Sequence, residues 1–289
     1  MIFPILLSAA LAVQQPAPAQ PSPPGQAIVI TGQKDQQKAI QDFVGALTAV
    51  PSNRQLSRFE HEVCPAVFGL AKPQAESVAN RIRLVAKNVG IVVGGAHCAP
   101  NVLLLVTSDK TAFLKELQRH SADYFGLTDK QFRDLEHKPG PAAAWQTKGP
   151  MVTEDGVDLT EDTTQGVVVN RTVDPSSRIT EPVHPQFDTS VVVVERKALT
   201  GMTVTQLADY TAVRALTGAD PAKLNDSGAP TILHVLDVPI GGVAPVTMTK
   251  WDFSFLQGYY NARRNLRTGA QRSAIGDSMS KTLHSPPGK

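Results

Sequence analysis
The sequence predicts an α/β or α+β fold, a mixed sheet packed by helices, with one disulfide. Three observations predict it. Stretches with helical spacing of apolar residues alternate with short apolar, β-branched runs, as in layered helix-and-sheet folds. A hydrophobic share of 42% against a charged share of 19% gives enough apolar material for a core. The chain has two cysteines, Cys64 and Cys98, and an even pair in an exported chain is most simply a bridge.

Export is read from the first residues. Residues 2–13 form an almost unbroken apolar run, and Ala10-Leu11-Ala12 has the small-x-small pattern of a cleavage site. No Lys or Arg precedes the run, and it is too short to span a bilayer. Residues 1–12 read as a signal peptide cut after Ala12 or, as second choice, after Ala19. Residues 13–26 read as a proline-rich linker, and 27–283 as a single α/β-type domain with room for two lobes meeting near 126–166. The expected location is secreted or periplasmic.

The elements follow in order. Residues 35–50 have Ile40, Phe43, Val44 and Leu47 on one helical stripe, ended by Pro51. Residues 56–64 are expected to add a short helix before Pro65. Residues 73–90 form a long helix with Val78, Ile82, Val85 and Ala86 as its apolar face and Gly90 at its C-terminal end. Residues 101–106 are continuously apolar and predict a buried strand. Residues 109–120 follow as a helix with Phe113, Leu114 and Leu117 inward.

Between 126 and 166 the pattern weakens. Trp145 is placed on a short strand, and the acidic stretch from Glu154 to Asp162 lacks the calcium-loop pattern, so a solvated loop or hairpin is expected. Residues 167–169 and 190–195 are strand-like. Thr203 and Gln206 fit a capping box for a helix closed by Gly218, with Leu207, Ala208, Thr211 and Ala215 on its stripe. Residues 231–238 suggest a strand or extended turn. Residues 251–267 suggest an aromatic-rich helix started by Thr249 and Asp252, and 273–283 a weaker one.

The net charge of +2 gives no reason to expect nucleic acid or an acidic membrane as partner. No later segment is long and apolar enough to cross a bilayer. Dinucleotide, Walker and Gly-x-Ser-x-Gly motifs are absent from the sequence. His61 and Cys64, with His97 and Cys98, offer a metal alternative to the disulfide. Adjacent His97 and Cys98 are hard to aim at one ion, so neither a metal nor a cofactor is expected.

Four blocks then carry a resemblance: RFEHEVCPAVFGL, CAPNVLLLVTSD, MTVTQLADYTAVRALTG and TMTKWDFSFLQGYYNARRNL. Spread over roughly two thirds of the chain, they resemble, in this order, secreted bacterial families of unknown function, some described as metallopeptidase-like. In active members the third block would bear His-Glu-x-x-His, two metal ligands and a base on one helix. The matching positions here are Tyr210, Thr211, Ala212, Val213 and Arg214, and none of them is a zinc ligand. The resemblance therefore implies a degenerate, non-catalytic protein that keeps a cleft beside this helix, with Asp209, Tyr210 and Arg214 as candidate cleft residues. Asp209 and Arg214 are otherwise expected to face water at the surface or to form a salt bridge with a neighbour. The expected partner is an envelope protein or peptide. The alternative is a secreted hydrolase with a dispersed site, using His61 with Glu62 or His234 with Asp237.

Overall fold
The computed structural model describes residues 33–48, 50, 54–121, 125–159, 161–162, 167–168, 180–224, 228–239 and 241–285. The proposed signal, linker and cleavage sites lie outside them. The expected mixed sheet packed by helices is present. Its four strands run in the order β1 (Pro65–Phe68), β2 (Val102–Thr107), β8 (Phe187–Glu195), β3 (Ala142–Lys148). The first three are mutually parallel and β3 is antiparallel to β8.

Helices cover both faces, which is why β2 and β8 read as continuous apolar runs. Val102, Leu104, Val106, Val192 and Val194 point into the larger core, together with α2 (Lys72–Asn88) and α5 (Val204–Thr217). Val191, Val193, Ala143 and Trp145 point the other way, onto Leu114 of α3 (Lys110–Ser121). Phe113 and Leu117 pack there too, as their spacing predicts. The face of α2 is the expected one, Val78, Ile82, Val85 and Ala86.

Behind the larger core stand α1 (Gln33–Leu47), α6 (Lys250–Asn261) and α7 (Thr268–His284). Gly258 lets α6 approach α7: a Cβ there would stand 3.2 Å from the Ile275 backbone, tighter than ordinary packing. Both expected capping boxes form, Thr203 with Gln206 and Thr249 with Asp252, and Gly218 closes α5 in the left-handed region at φ 69°.

The weak stretch holds α4 (Asp129–His137), which begins with a third capping box, Thr128 with Gln131, and buries Phe132. Two small ribbons follow, β4 (Val152–Thr153) with β7 (Val183–His184) and β5 (Glu161–Asp162) with β6 (Val167–Val168).

Three expected elements are corrected. The helix expected over 251–267 ends at Asn261, where Ala262 turns extended and Arg58 takes the carbonyls of Tyr259, Tyr260 and Ala262. Residues 56–64 are not helical, because their donors are taken by distant partners. Leu56 donates to Gln271 Oε1, Phe59 to the Tyr260 hydroxyl, Val63 to the Val92 carbonyl and Cys64 to Asn101 Oδ1. An extended path lets each reach outward. Residues 231–238 form no strand. Thr231 caps a 3₁₀ turn, Ile232–His234, whose Ile232 N–H donates to buried Asp252. Cys64 and Cys98 have their sulfurs at bonding distance, 1.97 Å, and their Cα atoms 5.9 Å apart, as a disulfide requires.

Candidate binding site
Helix α5 lies between α2 and the sheet, and from Gln206 to Thr217 it is buried on every side. Its polar residues are therefore held by specific partners. Asp209, fully buried, accepts two hydrogen bonds from Arg81, at 2.7 and 3.1 Å. It also accepts from the Thr247 hydroxyl and the Met248 amide, tying the approach to α6 onto α5. Of the two readings of Asp209, pairing with a neighbour is the one observed.

Arg214 does not face water as a surface residue would: it is 4% exposed. Its Nη1 donates to the Tyr210 hydroxyl at 2.7 Å, whereas its buried Nε has no hydrogen-bond partner. The two residues sit four apart on one face of α5 and share the wall of a cavity of about 230 Å³ with Lys138, Asp220 and Asp237. Burial raises the pKa of Tyr210 although Arg214 opposes it, so the phenol stays neutral. Asp209 does not line this cavity, so the structure brings together two of the three candidate cleft residues.

A larger cavity, of about 570 Å³, opens at the C-terminal end of α5. Asp220 lines both. Leu47, Leu56 and Tyr259 give the larger one a buried apolar floor. Its walls come from the end of α1, the extended strip at 54–57, the end of β3, Phe187, and Thr217-Gly218. The strip is held in place by Tyr259, whose hydroxyl donates to the Ser57 carbonyl at 2.7 Å; the Tyr260 hydroxyl ties α6 to α5 by donating to the Leu216 carbonyl at 2.6 Å. Burial pushes both phenols well above their ordinary pKa, so they act as donors.

Charge around the larger cavity is mostly positive. Arg54, Lys148 and Lys223 line it, and none has a carboxylate partner among the described residues. Among the described lining residues the one carboxylate, Asp220, is already paired with Lys138 at 2.6 Å. Burial raises its pKa, but the Lys138 hydrogen bond and charge, with Arg214, bring it below the usual carboxylate range. No local signal in the sequence marks this cavity, because its lining comes from segments as far apart as Ala46 and Tyr259.

The dispersed histidines find separate partners. His61 stands 3.2 Å from the Asp158 carboxylate, and both are exposed. His234 stands 3.7 Å from Asp237. His184, buried, lies 3.3 Å from Glu60, which Arg58 and Arg264 also hold, each at 2.8 Å. Among the described residues no group of three or more His, Cys, Asp or Glu side chains is arranged to hold a metal, and no helix is long and apolar enough to cross a membrane. No family model, curated protein or solved structure matches this chain.

Proposed function
We propose that this is an exported, non-catalytic binding protein that holds a peptide, or an exposed segment of an envelope partner, in the larger cavity at the end of α5. The observation that carries the reading is that cavity. Its 570 Å³ lies within the range of ligand sites, with a buried apolar floor and polar walls. Secretion or a periplasmic location fits the apolar run at 2–13 and the Cys64–Cys98 bridge, which needs an oxidising compartment. Descent from a peptidase-like ancestor fits the resemblance of the third block, where Tyr210 and Arg214 stand at the ligand positions.

The test is retention without turnover. A peptide mixture is equilibrated with the purified protein, and bound peptides are read by mass spectrometry. Intact peptides are expected, with no new termini. Ala46→Trp, which fills the α1 wall, is expected to abolish retention while the circular-dichroism melt persists. Cleaved peptides would establish the hydrolase reading instead.

A further inference from the structure
Resting on this binding reading, we infer that the larger cavity recognises the C-terminal end of a peptide: an apolar last side chain together with its free α-carboxylate. Three kinds of group meet there, and each matches one part of such a ligand. The floor of Leu47, Leu56 and Tyr259 is buried and apolar, suited to a side chain of leucine or phenylalanine size.

The second kind is a pair of amide acceptors. Gln146 uses its Nε2 on the Ser190 hydroxyl and the Arg214 carbonyl, at 3.1 and 3.2 Å. Gln55 uses its Nε2 on the Arg264 carbonyl at 3.0 Å. Among the described residues neither Oε1 accepts a hydrogen bond, so each is open to a donor. The position of Gln146 Oε1 is marked by Gly218, also on the cavity wall, where an added Cβ would come within 2.8 Å of it. Two free amide oxygens suit the N–H groups of a peptide backbone. An alkyl chain would leave them unpaired at a cost in binding.

The third kind is cationic. Arg54, Lys148 and Lys223 are exposed and lack a carboxylate partner among the described residues. The carboxylate that shares the cavity, Asp220, is committed to Lys138 and to the Ala222 amide. Three cations and one neutralised acid make the cavity attractive to a single added negative charge.

The experiment uses fluorescein-labelled pentapeptides that end in leucine or phenylalanine and are randomised elsewhere. They are prepared as free acids and as C-terminal amides, and binding to the full protein is read by polarisation. Free acids are expected to bind at least about tenfold tighter than amides. That difference is expected to vanish in Arg54→Gln/Lys148→Gln/Lys223→Gln, because binding of the free acids falls to the level of the amides. Dodecanoate should fail to displace the bound peptide. Equal binding of acids and amides, both blocked by Ala46→Trp, would overturn the carboxylate inference and keep the binding reading. Direct binding of fluorescein-labelled dodecanoate, with neither peptide form bound, would replace the peptide by an aliphatic acid. No binding by acid, amide or dodecanoate would overturn both readings.

Discussion
Asp209 shows how much one side chain holds here. It is fully buried and receives hydrogen bonds from Arg81, Thr247 and Met248, which belong to α2 and to the segment before α6. Removing it leaves four donor contacts without their acceptor, although Arg81, whose side chain is 33% exposed, regains water. Asp209→Ala is therefore expected to cost about 3–5 kcal/mol in a urea melt. Arg214 behaves differently because its partner is neutral. Arg214→Ala leaves the Tyr210 hydroxyl without its donor, and the expected cost is about 1–3 kcal/mol. A loss for Arg214→Ala as large as that of Asp209→Ala would mean that Arg214 carries a structural charge pair. Glu60 is a third case. Burial raises its pKa, but His184, Arg58 and Arg264 outweigh this and leave it lowered. A carboxyl with a depressed folded pKa stabilises above its unfolded pKa and loses that contribution as pH falls through the folded one. The stability gap between wild type and Glu60→Gln should therefore be wide near about pH 6 and shrink towards about pH 3. An unchanged gap would refute this account of Glu60.

Among the elements, α5 was legible in full at its ends and only in part along its length. Thr203, Gln206 and Gly218 mark its start and stop by local chemistry that no distant residue is needed to complete. Its burial on every side is a tertiary fact, for an apolar stripe specifies one packed face, not the separate faces that carry Asp209 and Arg214. Leu207, 4% exposed, belongs to the stripe itself, and Leu207→Ala is expected to lower stability by about 2–5 kcal/mol in the same melt. The strip at 56–64 shows the reverse. Its apolar spacing suits a helix, yet Gln271, Tyr260 and Asn101, all distant in sequence, accept its backbone donors. Propensity is a weak prior against several such hydrogen bonds. Arg58 adds to this by reaching the carbonyls of Tyr259, Tyr260 and Ala262, which α6 leaves open at its end.

In the whole molecule the disulfide ties the start of β1 to the loop before β2, closing 34 positions. In the chain-entropy model a loop of that length is worth roughly 3–4 kcal/mol. Reduction should lower the urea midpoint accordingly, and an unaltered midpoint would mean that the sheet alone fixes this edge. The sequence by itself determined the helix-and-sheet class, the faces of α2 and α3, the strands β2 and β8, three helix termini and the cysteine pair. Each rests on local periodicity, capping or a count, and needs no knowledge of what lies across the core. Only the tertiary structure decided that 56–64 runs extended, that Asp209 pairs with Arg81, and that Arg214 is buried against Tyr210. It alone assembled the cavity between α1, β3 and the end of α5. Those features are set by contacts between residues far apart in the chain, where hydrogen bonds and charge pairs outweigh local preference.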